Sequence, residues 1–291
     1  MMTIHETVDS LAATPSLAPR RAGPAHRSRW PLFGTGKPRR TLGISAVTAV
    51  ALLALWFSVT RAELVTPLFL PPPADVVSQF FAVATDGFAG ATLWEHTLAS
   101  LLRVVVALGL VVITAIPIGL LMGVNRWFKG VFDPPIELYW PLPPLGYLPL
   151  IIIWFGIDEA AKILILFLSM FAPLVIATQA GVRSVPVQRV HAAYSLGASR
   201  AQVFWHVIAR GALPEILVGL RIAIGCGWST LVAAEFVAAS RGLGFMIMSA
   251  ARFLVTDVAI MGILVIAALA FAFMFTALAL ERLLVPWQGK V

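Results

Sequence analysis

The chain has 291 residues, 59% of them hydrophobic and only 12% charged, against about 25% charged in ordinary soluble domains. Its net charge of +7 does not mark a nucleic-acid binder. Residues 1–40 alone hold seven Lys/Arg (Arg20, Arg21, Arg27, Arg29, Lys37, Arg39, Arg40) against Glu6 and Asp9. The one cysteine, Cys226, excludes an intrachain disulfide and a cysteine metal cluster.

The basic tail, 1–40, carries five prolines and no apolar periodicity, the composition of a disordered segment. A basic flank before a first apolar run holds that flank in the cytoplasm. Span one covers about 41–60, and no small-residue cleavage site follows it, so it reads as a retained helix rather than a removable signal. A segment of mixed polarity, 61–96, comes next, with room for an interfacial helix within 74–96. Five further spans lie at about 97–123, 134–157, 163–182, 214–238 and 257–281, each near the roughly 20 residues a bilayer requires. The expected fold is therefore all-α, a multi-pass helix bundle in the membrane. Counting from a cytoplasmic N-terminus, inner segments hold sixteen Lys/Arg and outer segments five (Arg61, Arg103, Lys162, Arg241, Arg252). That asymmetry predicts both termini inside.

The third span contains Pro134, Pro135, Pro141, Pro143, Pro144 and Pro149. Proline removes a helix hydrogen bond, and the freed backbone is tolerated only where protein or a watery cavity satisfies it. Two readings remain open from these residues: a broken helix beside a pathway, or a kink that shapes packing. Small residues recur through 216–240 (Gly219, Ala223, Gly225, Gly227, Ala233, Ala234), which lets helices approach closely in lipid and predicts a central or interfacial position for the fifth span.

Between the fourth and fifth spans, 183–214 is too long for a turn and patterned as helix. Pro186 suits a helix start, and Val187, Val190 and Ala193 share a face. Gly197 interrupts, and Ser199 with Gln202 forms a capping-box pattern for a second helix returning to the membrane. In this stretch the chain resembles the binding-protein-dependent permeases of type I ATP-binding-cassette importers. Their cytoplasmic signature is Glu-Ala-Ala, three residues, Gly, nine residues, then Ile-x-Leu-Pro. Here it reads His191-Ala192-Ala193, three residues, Gly197, nine residues, then Val207-Ile208-Ala209-Arg210. His191 replaces the Glu, and Ala209-Arg210 replaces Leu-Pro. The runs at 137–163, 195–203, 211–235 and 241–246 (RGLGFM) resemble the taurine, aliphatic-sulfonate and nitrate branch of the family. LFLPPPADV (68–76) and VPWQG (285–289) are most similar to its taurine members.

The resemblance implies a division into the tail 1–40, the first span with a periplasmic segment 41–96, a permease core 97–284 with its coupling loop 183–214, and a cytoplasmic tail 285–291. It implies a multi-pass protein of the bacterial inner membrane that imports taurine or a related solute: alkanesulfonates, nitrate or bicarbonate. It also implies partners: a second copy of the chain, two cytoplasmic ATPase subunits and a periplasmic binding protein. The coupling residues carried over from it are His191, Ala192, Ala193, Ser195, Leu196, Gly197, Ala198, Ser199 and Arg200, with Arg200 placed to meet an acidic rim on the ATPase. No G-x-x-x-x-G-K-[ST] loop is present, since the run Gly34, Gly36, Lys37 is too short and ends in proline. ATP and Mg then belong to the partner ATPase, and the chain is no enzyme and holds no cofactor or metal.

Intramembrane charges are functional candidates by default. Glu137 and Glu235 stand out, with Tyr139, Trp154, Ser229 and Thr230 as further pathway or gate residues; the aromatics Trp140 and Tyr147 could flank the pore beside Tyr139 and Trp154, the other reading of all four being an interfacial aromatic belt. For Glu235 the competing reading is a structural pair with Arg241 or another basic group. Arg103 and Arg221 are expected to snorkel from span ends to the interface. Rivals from other classes are a membrane enzyme, which lacks any H-E-x-x-H or Asp/His constellation, and a self-sufficient carrier or channel, which would leave 183–214 without a purpose.

Overall fold

The computed structural model describes residues 42–286; the basic tail 1–40 and most of VPWQG lie outside them. Helices come in the order α1 (Leu42–Arg61), α2 (Pro73–Thr85), α3 (Leu93–Val124), α4 (Arg126–Tyr139), α5 (Pro144–Phe155), α6 (Glu159–Ser184), α7 (Val187–Ser195), α8 (Arg200–Gln202), a π-helical segment (Val203–Ile208), α9 (Ala209–Ala238), α10 (Leu243–Arg252) and α11 (Thr256–Leu284). Among the described residues, five helices are long and apolar enough to cross a membrane, six when α4 and α5 count as one broken span. The chain divides into two units, Met1–Ala51 and Leu52–Val291. The second unit contains the helix bundle.

Helix α6 lies between α3 and α9. Its Ile165, Leu166, Met170, Leu174 and Val175 are fully buried. Apolar side chains gain little from leaving lipid, so close backbone approach must hold these helices together. Glycines permit it. A Cβ on Gly119 of α3 would lie 2.6 Å from Thr178 Cβ and 2.8 Å from the Val175 carbonyl oxygen of α6. On Gly181 it would lie 2.8 Å from the Ala212 carbonyl of α9, and Gly219 sits directly against Ala177. The span expected to be central is central for this reason.

The proline-rich span is broken: α4 and α5 meet at 103°. Pro143 and Pro144, lacking N–H groups, cannot continue α4, and Pro144 opens α5 instead. A second apolar cluster joins α2, α10 and α11 through Val76, Val83, Met246, Ile247 and Met261. Helix α2 fills part of 74–96. Helix α10 has 10 residues, about half a membrane crossing, and buries Leu243, Met246, Ile247 and Ala250.

Two sequence expectations change. The second helix of 183–214 and the fifth span are not separate: Arg200–Ala238 is one apolar helix of 39 residues, because Pro214 is accommodated inside α9. Arg221 does not snorkel free; it is partly buried and pairs with Glu281 of α11 at 3.3 Å.

Gly119→Val should lower the thermal stability of the purified chain by overpacking worth about 1–3 kcal/mol. Gly109→Ala on the same helix, where an added Cβ meets nothing within 4 Å, should leave it unchanged. Melting followed by size-exclusion chromatography checks both.

Candidate functional site

Three features gather the candidate residues, beginning with the loop after α6. Pro186 caps α7, and the helix ends where Gly197 adopts φ +82°, a conformation glycine takes without strain. The Gly197 N–H donates to the Tyr194 carbonyl at 2.9 Å and the Ala198 N–H to the Ala193 carbonyl at 3.1 Å, closing the helix end. The capping box then forms: Ser199 N–H donates to Gln202 Oε1 at 2.8 Å, and Gln202 N–H to Ser199 Oγ at 3.4 Å. Helix α7 buries none of its residues. Leu196 is 89% exposed, and Val187 and Tyr194 are exposed too. His191, Ala192, Ser195, Ser199 and Arg200 are exposed on this knob, with Ala193 and Ala198 half-buried. An apolar tip with small residues, left uncovered by the described residues, has the form of a docking element. Beside it an open groove of about 780 Å³ is lined by Arg189, His206 and Arg210, with Leu213 and Leu284.

The second feature is a charge cluster in which Arg103, Lys162 and Glu235 are buried and Glu159 lies at the exposed edge; its Arg103, Glu159 and Lys162 members are missed by sequence reasoning. Arg103 is 4% exposed and does not snorkel. Its Nη1 donates to Glu235 Oε1 at 2.5 Å and to the Arg241 carbonyl at 2.8 Å. Its Nε and Nη2 donate to the two oxygens of Glu159 at 2.7 and 2.8 Å, a fork-to-fork pairing open only to arginine. Lys162 Nζ reaches Glu159 Oε1 at 2.6 Å. Two cations thus meet two carboxylates, and the charge balances. Glu235, 0% exposed, therefore pairs with another basic group than Arg241.

Glu235 also explains RGLG. Ser100 Oγ donates to its Oε1 at 2.7 Å and Gly244 N–H to its Oε2 at 2.7 Å. The chain wraps so closely around this carboxylate that a Cβ on Gly242, at φ +139°, would lie 2.5 Å from it. Leu243 N–H donates to Ser100 Oγ at 2.9 Å. Gly242 N–H donates to His96 Nδ1 at 3.1 Å while His96 Nε2 lies 2.9 Å from the Phe88 carbonyl. That pattern puts the His96 proton on Nε2. The start of α10 is capped by α3 and α9. The signal available in the sequence is depth: Arg103 near the start of α3, Glu159 at the start of α6 and Glu235 near the end of α9 share one level in an up-and-down bundle.

The third feature is a cavity of about 140 Å³ at the break between α4 and α5. It is lined by Tyr139, Trp140 and Tyr147 from the broken pair, Ser169 from α6, and Cys226, Ser229 and Thr230 from α9. Of the six pathway candidates, Tyr139, Ser229 and Thr230 meet there. Glu137 and Trp154 are exposed and do not line it, and Glu235 belongs to the charge cluster.

These features define an apolar helix bundle of membrane-spanning length with an exposed helical knob between two of its spans. Residues 115–289 match the family model of the binding-protein-dependent transport system inner membrane component, and the chain belongs to that family: it is a multi-pass inner-membrane permease subunit of ABC transporters rather than an enzyme. It is 53% identical over 264 residues to the taurine transport system permease protein TauC of Escherichia coli (strain K12), covering 90% of this chain and 94% of that one. It is 36% identical over 239 residues to the putative aliphatic sulfonates transport permease protein SsuC of the same strain, covering 82% and 89%. A chain of the inward-facing MetNI methionine ABC transporter superposes with TM-score 0.57 at 16% identity, over 66% of this chain and 95% of that one, which places the fold among type I importer permeases.

Arg103→Ala should leave the Glu235 carboxylate buried and unpaired, at a cost of about 3–5 kcal/mol. The expected result is loss of folded chain from detergent extracts, with Arg103→Lys intermediate because an ammonium cannot bridge both carboxylates. An unchanged melting temperature in both variants would contradict a stabilising cluster.

Proposed function

We propose that this chain is the permease of a taurine importer, working as two copies with two cytoplasmic ATPase subunits and a periplasmic binding protein. The observation that carries the substrate is the 53% identity to TauC along almost its whole length. The 36% identity to SsuC supports alkanesulfonates as the second reading. ATP and Mg would be held by the ATPases, and both termini would be cytoplasmic, in keeping with the sixteen-to-five distribution of Lys/Arg.

In this reading α7 is the handle. The exposed Leu196 and Tyr194, the small Ala192 and Ala193, and the basic Arg200 would seat in a partner groove, with Arg189, His206 and Arg210 beside it. ATP-driven closure of the partners would displace α7, and the π-helical segment would carry that displacement into α9. ATP can bias the transporter only by preferring one of its states, so the α7 contacts must differ between inward- and outward-facing forms.

The test is uptake in proteoliposomes containing this chain with its cognate ATPase and binding protein. ATP-dependent taurine uptake is expected, with ethanesulfonate taken up at a lower rate. Arg200→Glu combined with Leu196→Asp should cut import at least about tenfold, equivalent to about 1.4 kcal/mol of lost coupling, while the chain still inserts. Full import by that double variant, or solute movement without any ATPase, would contradict the assignment.

A further inference from the structure

We infer that the cavity at the α4–α5 break is a substrate site within the permease itself, built for a small zwitterion with an ammonium at one end and a sulfonate at the other. This rests on the taurine reading above and assigns recognition to particular residues.

Non-helical chain at membrane depth persists only where protein or a polar cavity satisfies it. The break at Trp140–Pro143 lines such a cavity, with α6 and α9 completing the wall. At about 140 Å³, it has room for a solute several times the roughly 30 Å³ that a water occupies in the liquid. Its lining divides by chemistry. The break supplies three aromatic side chains, Tyr139, Trp140 and Tyr147, whose π faces attract an ammonium. Helices α6 and α9 supply the hydroxyls of Ser169, Ser229 and Thr230; that of Thr230 is free to donate to a sulfonate oxygen, and the two serines would do so on releasing their backbone carbonyls.

Thr230 is the most telling of these. It is only 5% exposed, it lines the cavity, and its hydroxyl has no hydrogen-bond partner among the described residues. Ser169 and Ser229, by contrast, already donate to the Leu166 and Cys226 carbonyls. A hydroxyl that opens onto a cavity with its proton uncommitted is free to donate to a solute there. No Lys, Arg, Asp or Glu lines the cavity. Leu142, Pro144 and Leu168 complete the wall, and an uncharged site suits a pathway, where binding must be weak enough for the solute to leave.

Cys226 lines the same cavity and is the chain's only cysteine, so the native protein carries its own reporter. The test uses the whole transporter in proteoliposomes. Methyl methanethiosulfonate modification of Cys226 is followed by mass spectrometry of the permease peptide, with and without taurine, in parallel with taurine uptake. Saturating taurine should slow modification at least about threefold. Thr230→Val and Tyr147→Leu should abolish this protection and raise the uptake KM, whereas Tyr147→Phe, which keeps the ring, should retain it. Proper assembly of each variant is verified by its basal ATPase rate. Modification equally fast with and without taurine, while the unmodified transporter imports taurine, would overturn the cavity site and leave the taurine reading intact. Failure of Cys226 to react in any state would also overturn it. If the transporter imports an alkanesulfonate and not taurine, the taurine reading and the ammonium half of this site both fall.

Discussion

One continuous helix ties the molecule together. Arg200–Ala238 runs 39 residues without a break, about 60 Å at 1.5 Å per residue. It begins beside the exposed knob of α7, passes the cavity at Cys226, Ser229 and Thr230, and ends in the charge cluster at Glu235. Its neighbours are held by backbone proximity at glycines rather than by apolar burial, since lipid offers no hydrophobic penalty to escape. A displacement of α7 therefore has a direct route to the cavity. The two irregularities on that route lie together near the knob: the π-helical turn at Val203–Ile208 and Pro214, whose missing N–H leaves the Arg210 carbonyl without its helical donor. Such features often mark where a helix bends in function.

The two polar regions of the bundle differ in kind. Arg103, Glu159, Lys162 and Glu235 are mutually neutralised and closely hydrogen-bonded, and the backbone of 241–244 wraps the Glu235 carboxylate. Separating Arg103 from Glu235 would strand a fully buried carboxylate without its cation, whereas Glu159 is 54% exposed. They hold α3, α6, α9 and the start of α10 at one end. The cavity is the opposite: neutral, roomy, and lined by the broken pair.

Much of this architecture is legible in the linear chain. Gly197 between two helical patterns marks the bend, Ser199 and Gln202 mark the new start, and six prolines within 134–149 mark the break. Each is a local signal, carried by backbone conformation or a missing N–H, and local signals survive in a linear string. The ion partners do not read out in the same way. Arg103 and Glu235 are 132 residues apart, and a single arginine near a helix end looks like one that snorkels until its depth is compared with that of charges on other spans. The continuity through Pro214 is hidden because a proline inside a helical pattern ordinarily reads as a helix boundary. The cavity is largely visible: Tyr139, Ser229 and Thr230 are candidates by chemistry and Trp140 and Tyr147 are aromatics placed to flank a pore, while Ser169 joins them only through the fold.

Mechanical continuity from the coupling knob into α9 is what would let ATP hydrolysis elsewhere drive solute through this permease. Inserting Gly-Gly between Ile208 and Ala209 keeps the knob and the cavity but softens the helix joining them. Simultaneous measurement of ATP hydrolysis and taurine import in the assembled transporter should show hydrolysis continuing while import falls to background. Import retained in full proportion to hydrolysis would contradict that continuity.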